Sequence, residues 1–338
     1  ENDIALDFGG GDQIHIDPNT DIISRQVLPE MIRRFDPKTP YLPSSPSISP
    51  EAFKVHNSVH RYVTSEQHLW GARGYYKAPF YTETPARFLG EIGYHGCPSR
   101  ESLEKMFDKD FVYPWEKNKG FEWNDQWKTK AVRVHPSSPG NDHRNDYLLK
   151  GIRSVFTEVP RDLDQFIMAS QIVQAEAMKY FVEFWRMKKF DEGSGILWWR
   201  LRDGWPVISN GVVDYYYDKK LAYHYIKRVQ TDVCVMIGDA WDTGRHPVVV
   251  LNDTRAKVTG TLTIKDADSK KVLLNKAFTV GENGKSIEGY LPESPETKLW
   301  LIEWEVGGVT YTNHYFAYQP HVELDEYLKW LPLLKPGK

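Results

Sequence analysis

The chain has 338 residues, is 14% aromatic with 12 Trp and 19 Tyr, and carries a net charge of -3. That length suffices for two domains with sizeable cores, and the near-neutral charge gives no electrostatic case for nucleic acid or an anionic membrane as partner. Two cysteines, Cys97 and Cys234, are too few for a disulfide framework or a structural zinc site, and no run of about 18 apolar residues predicts a membrane-spanning helix.

In chain order, residues 22–35 place apolar and charged side chains at helical spacing, and Asp36-Pro37-Lys38-Thr39-Pro40 ends that helix. Tyr41-Leu42-Pro43-Ser44-Ser45-Pro46 reads as a short strand running into a loop. Residues 87–94 are the most informative: a short apolar run ends in a single carboxylate, Glu91, and Gly93 follows two residues later. A buried barrel strand delivers an acid to its C-terminal mouth in this way. A buried carboxylate is costly unless its charge is used, and attack on a sugar carbon is one such use.

Ser99 is placed to cap a short helix over residues 99–107, with Leu103 and Met106 on one face. Residues 108–150 are polar, aromatic and irregular, and predict a long loop region. It either covers the barrel or lends Trp115, Trp123 or Trp127 to a sugar pocket. Residues 162–190 predict a long amphipathic helix, on which Glu176 and Glu183 read as solvated or paired charges rather than catalysts. Beyond residue 230 the period changes to short runs at 248–251, 260–264, 272–274, 299–304 and 311–315, separated by Asn, Asp and Gly turns. Such spacing predicts a β-sandwich.

Phe88-Leu89-Gly90-Glu91-Ile92-Gly93-Tyr94 resembles the nucleophile strand of glycoside hydrolase family 2, in its β-mannosidase-like branch. Gly195-Ile196-Leu197-Trp198-Trp199-Arg200-Leu201-Arg202-Asp203-Gly204-Trp205-Pro206 resembles the last barrel strand of that family. Val213-Asp214-Tyr215-Tyr216, followed by Lys220-Leu221-Ala222-Tyr223, is a third match. The resemblance covers most of residues 1–230.

The resemblance implies a TIM (β/α)8 barrel domain over residues 1–230, of which the chain would carry strands five to eight only, then an immunoglobulin-like β-sandwich over residues 231–338. Residues 41–46 would lead into the fifth strand. Residues 67–70, 87–91 and 195–201 would be the sixth, seventh and eighth.

The implied activity is that of a retaining exo-β-glycosidase, β-mannosidase-like, using two carboxylates about 5 Å apart and no metal or redox cofactor. Glu91 would be the nucleophile; its alternative is a buried Glu paired with an Arg such as Arg87. The family's acid/base Glu precedes the nucleophile by a separation close to that between Glu1 and Glu91, so Glu1 is the candidate acid/base; otherwise it is an arbitrary terminal residue.

Trp199 matches a Trp that floors the sugar site, or serves barrel packing. Trp70 and His68 stand at the mouth of the sixth strand, where either could touch sugar hydroxyls. Tyr94 could hydrogen-bond the nucleophile. Asp203 and Trp205 read as fixing the loop after the last strand.

Three departures from the family pattern stand out: Gly90 before the nucleophile in place of Ser, Arg200 and Arg202 in place of uncharged residues, and Gly71-Ala72-Arg73-Gly74 after the sixth strand. The two arginines either bind an acidic sugar such as a uronide or pair with nearby carboxylates.

The partners implied are a carbohydrate substrate and a missing N-terminal part of the same protein. A fragment of this kind, alone, is expected to be inactive. An exported or lysosomal location is implied over a cytoplasmic one. Other readings are a different family 2 activity (β-galactosidase, β-glucuronidase, exo-glucosaminidase) and a non-catalytic carbohydrate-binding protein.

Overall fold

A computed structural model describes residues 20–47, 49–51, 54, 66–70, 74–115, 120–131, 145–240, 244–317 and 321–334. Their contacts sort into two compact units. The first draws on Glu1–Ala72, Lys77–Gly93 and Lys188–Trp199, and the second on Arg73–Tyr76, Tyr94–Met187 and Arg200–Lys338.

The first unit is built on a parallel sheet of three strands in the order β1 (Glu66–Leu69), β2 (Phe88–Ile92) and β3 (Gly195–Ile196). These are the three segments expected as consecutive barrel strands. Parallel strands covered on both faces are apolar and buried; Leu69, Leu89 and Ile92 are all buried. β3 is shorter than the expected span, but its hydrogen bonding to β2 extends further, through Leu197 N to Leu89 O and Trp199 N to Ile92 O, each 2.8 Å.

The register of β1 against β2 pairs Gln67 with Leu89 and then His68 with Glu91. Gly90 is therefore a bulged residue, and the bulge turns Glu91 to stand across from His68.

Residues 22–35 are helical as expected: a π-helical turn at Ile23–Val27 runs into an α-helix at Leu28–Phe35, closed by Asp36 N on Ile32 O at 2.7 Å. Its apolar side chains Ile23, Met31 and Phe35 are exposed. No strand forms at residues 41–46, contrary to expectation. Pro43 and Pro46 have no N–H to give to a ladder, and the Ser45–Pro46 bond is cis.

The second unit carries helices and both antiparallel sheets. Ser99 caps Arg100–Met106, accepting from Ser102 N at 3.3 Å. The long helix is Leu163–Met187, with Asp162 accepting from Gln165 N at 3.0 Å at its start. It is buried on almost every side, not on one face as expected.

Its polar side chains are accordingly paired. Glu176 Oε1 accepts from His314 Nε2 at 2.7 Å and from the Tyr327 hydroxyl at 2.5 Å. Glu183 accepts from Lys179 Nζ and Asn313 Nδ2, both at 2.6 Å. Both glutamates are thus paired helix charges, one of the two forms expected.

Among the described residues of 108–150, expected as loop, helices form at Asp125–Ala131 and Asn145–Val155. Trp115, Trp123 and Trp127 are buried in one cluster with Phe166, Trp123 stacking on Trp127 with ring centroids 5.6 Å apart.

After helix Leu221–Val229 come β4 (Val233–Ile237), β5 (Arg245–Asn252), β6 (Val258–Asp266), β7 (Val272–Val280), β8 (Lys285–Pro292), β9 (Lys298–Val306) and β10 (Val309–Ala317). They form two antiparallel sheets, β4-β5-β8 and β10-β9-β6-β7. The two sheets face one another: Asn313 Nδ2 on β10 reaches Val235 O on β4 at 3.0 Å. Gly307 and Gly308, both at positive φ, make the two-residue turn between β9 and β10.

All five expected sandwich strands are present, and β4 and β8 are additional. Cys97 and Cys234 are buried free thiols, pushed up by burial to about 12 and about 11. No described helix is long and apolar enough to cross a membrane.

Candidate active site

Glu91 lies near the C-terminal end of the middle strand of the parallel sheet, and its side chain is 17% exposed. Residues i, i+2 and i+4 of a strand share a face, so Glu66, His68 and Trp70 project together from β1 and the residue after it. Two of them meet Glu91 at one oxygen. Trp70 Nε1 donates to Glu91 Oε2 at 2.8 Å, and His68 Nδ1 lies 3.4 Å from the same atom. A partly exposed carboxylate oriented by an indole N–H is placed to meet a ligand. His68 is buried, and burial holds its imidazole down at about 4, so it is neutral near pH 7.

Below them sits a second carboxylate. The Ser45 hydroxyl donates to Glu66 Oε1, and Ser45 Oγ lies 3.0 Å from His68 Nε2. Gly90 makes room for this group. A Cβ there would stand 2.2 Å from Glu66 Oε1, 2.9 Å from Ser45 Oγ and 3.0 Å from His68 Nε2. Gly93 permits a comparable approach, since its Cβ would be 2.3 Å from Trp199 O and 2.9 Å from the Trp70 indole. An open hollow of about 460 Å³ borders Ser45, Glu66 and Phe88. A larger one, about 750 Å³, is lined by Arg100, Tyr113 and Arg161 among others, and includes none of the Glu91 group.

The structure therefore brings together Glu91, His68 and Trp70 of the residues singled out in the sequence. Trp199 follows β3, with its backbone bonded to β2, and the residue is 43% exposed. Glu1 lies outside the described residues. Arg87, the alternative partner considered for Glu91, is directed to the Asp191 carbonyl at 3.3 Å.

Tyr94, expected as a hydrogen-bond partner of Glu91, is buried in the second unit and gives its hydroxyl proton to the Gly74 carbonyl. Arg200 grips Asp203 Oδ1 with Nε at 3.2 Å and Nη2 at 2.7 Å. Arg202 donates to Tyr215 O at 3.0 Å and lies 3.7 Å above the Tyr217 ring. Arg200 thus pairs with a carboxylate, as one of the two readings of these departures had it, whereas Arg202 is held by a backbone carbonyl and an aromatic ring. Asp203 is fully buried and also accepts from Ser209 Oγ at 2.5 Å, which suits its expected part in fixing the loop.

Ser45 and Glu66 escaped sequence reasoning as site residues. The signal for Glu66 was its spacing of two and four from His68 and Trp70 on one strand. Ser45 has no such local signal, because 21 residues separate it from Glu66. Among the described residues, no group of three or more His, Cys, Asp or Glu could hold a metal ion.

Comparison with known proteins points the same way. No family model matches the chain. It is 27% identical over 223 residues to β-mannosidase B of Aspergillus terreus and 28% identical over 223 residues to that of Aspergillus niger. Each match covers 63% of this chain and 23% of the relative. The chain thus spans about a quarter of the length of these relatives.

Among solved structures, the β-D-mannosidase of Dictyoglomus thermophilum superposes with a TM-score of 0.70 at 23% identity, over 90% of this chain and 35% of that one. The exo-chitosanase of Amycolatopsis orientalis, in complex with PNP-β-D-glucosamine, gives 0.61 at 16% identity, over 91% and 38%. The resemblance to β-mannosidase-like members of glycoside hydrolase family 2 is borne out by these relatives.

Proposed function

We propose that this relative of the family 2 β-mannosidases contributes the nucleophile half of a retaining exo-β-glycosidase acting on terminal β-mannosides. The observation that carries the reading is Glu91 itself. It is partly exposed near the C-terminal end of a parallel strand, and one oxygen is held by Trp70 Nε1 at 2.8 Å. In this reading the parallel sheet belongs to a barrel domain over residues 1–230, and the seven antiparallel strands form an immunoglobulin-like domain over residues 231–338.

The reaction takes two displacements. In the first, a Glu91 carboxylate oxygen attacks the anomeric carbon and the glycosidic C–O bond breaks. The departing oxygen takes a proton from an acid, the role assigned to Glu1. In the second, the conjugate base of that acid removes a proton from water, and the water oxygen attacks the anomeric carbon. The bond to Glu91 then breaks and its carboxylate returns. Trp70 steadies Glu91 throughout, and Trp199 offers an indole face to the sugar ring.

Glu91→Gln in the full-length protein keeps the shape and removes the nucleophile. Hydrolysis of an aryl β-mannoside should fall by roughly 10⁴-fold or more. Retained turnover in this variant would overturn the assignment.

A further inference from the structure

We propose that Glu66, acting through Ser45 and His68, is a positioning residue that keeps His68 from donating a hydrogen bond to Glu91. The inference rests on Glu91 being the nucleophile.

The Ser45 hydroxyl has one proton, and it stands between a carboxylate oxygen and an imidazole nitrogen. An ionised carboxylate can only accept. The Ser45 proton therefore goes to Glu66 Oε1, and Ser45 Oγ is left as the acceptor facing His68 Nε2 at 3.0 Å. His68 Nε2 must then carry the ring proton. In a neutral imidazole that leaves Nδ1 as a lone pair, turned toward Glu91 Oε2. Their separation of 3.4 Å is longer than a charge-assisted N–H···O contact, which runs about 2.7–2.9 Å.

The opposite tautomer would place a second N–H on Oε2, beside that of Trp70. Such a bond stabilises the carboxylate and weakens it as a nucleophile. It also makes Glu91 a better leaving group from the glycosyl-enzyme. Gly90 is the opening through which Glu66 and Ser45 reach the ring, because any side chain there would displace them. The same bulge sets Glu91 across from His68.

Glu66→Leu in the full-length protein removes the acceptor. The Ser45 proton then has His68 Nε2 to go to, and the ring proton moves to Nδ1. The two chemical steps should respond in opposite directions. With a dinitrophenyl β-mannoside, whose departure is fast, kcat/KM reports glycosylation and kcat reports deglycosylation. Glu66→Leu should lower kcat/KM about tenfold, the worth of one hydrogen bond to a charged group, while kcat stays level or rises. In a His68→Asn background the same substitution should change neither constant.

Both steps slowed equally, or an undiminished effect in the His68→Asn background, would reduce Glu66 to a packing residue and overturn the proposal. Should Glu66→Leu fail to fold, Glu66→Gln removes the charge that draws the Ser45 proton. It should shift the two constants in the same directions by less, and unchanged constants would equally overturn the proposal. A wild-type protein that hydrolyses no β-glycoside would instead remove the nucleophile reading, and this inference with it.

Discussion

Gly90 and Gly93 flank Glu91 and Ile92 at the end of the active strand, and the structure predicts different costs for adding one methyl to each. At Gly93 the new carbon would stand 2.3 Å from the Trp199 carbonyl oxygen and 2.9 Å from the Trp70 ring. An ordinary carbon–oxygen contact is longer by about 1 Å. The obstacle is backbone, and Trp199 N is already bonded to Ile92 O at 2.8 Å. Relief requires parting the strands there and losing that bond.

Overpacking of this kind costs about 1–3 kcal/mol, and the bond adds about 1 kcal/mol. Gly93→Ala should therefore lose roughly 2–4 kcal/mol. It should also move the Trp70 ring off Glu91, with kcat falling alongside.

At Gly90 the first obstacle is Glu66 Oε1, 2.2 Å away at the end of a flexible side chain. Glu66 can swing aside at the expense of its bond to Ser45, so Gly90→Ala should cost about 1–2 kcal/mol, less than Gly93→Ala. It should nevertheless reproduce the kinetic signature of losing Glu66. Urea unfolding of both full-length variants, followed by kcat and kcat/KM on a dinitrophenyl β-mannoside, tests the pair. Equal destabilisation, or a neutral Gly93→Ala, would refute the reasoning from close approach.

Three other outcomes follow from the second unit. Lys179→Met leaves Glu183 buried without its ion partner, 2.6 Å away in the wild type, and should lower stability by about 3–5 kcal/mol in chemical unfolding. Burial holds His314 down at about 4, and its partners, His314 foremost, hold Glu176 low despite its burial. The unfolded chain binds more protons than the folded one at both sites. Their contribution is present above pH 6.5 and is lost as pH falls through the folded values. Thermal midpoints should therefore drop from pH 6.5 to 4, and His314→Gln should flatten that slope; an unchanged slope would remove His314 as its source. Arg200→Gln deprives the buried Asp203 of a two-point partner. Stability should fall by about 1–3 kcal/mol while the ratio of uronide to neutral glycoside turnover stays fixed. A shift in that ratio would restore the acidic-substrate reading.

Much of this architecture was legible locally. Short apolar runs bounded by Gly and Asn turns disclosed the sandwich strands, and Ser99 disclosed its own helix cap. β4 was missed because Val233-Cys234-Val235-Met236-Ile237 is apolar without alternation. β8 was missed because Glu288 and Gly289 interrupt its apolar positions Ile287, Tyr290 and Leu291. Residues 41–46 looked extended, but their prolines exclude ladder bonding.

Within the site, Glu91, His68 and Trp70 could be found because each sits at a strand end. The bulge at Gly90 could not, since register is a property of two strands. The partners of Arg200 and Tyr94 depended on chain folding as well. Sequence left an acidic ligand and an internal carboxylate both open for Arg200, and its bond to Asp203, three residues on, is a property of the folded loop.

The most direct test of the central claim is to trap the glycosyl-enzyme. A 2-deoxy-2-fluoro-β-mannosyl fluoride has an activated leaving group and a slowed second step. Incubated with the full-length protein, digested and sequenced by mass spectrometry, it should leave one fluoro-sugar on Glu91, and the label should be absent from Glu91→Gln. A label on another carboxylate, or turnover with inversion at the anomeric carbon, would contradict the account.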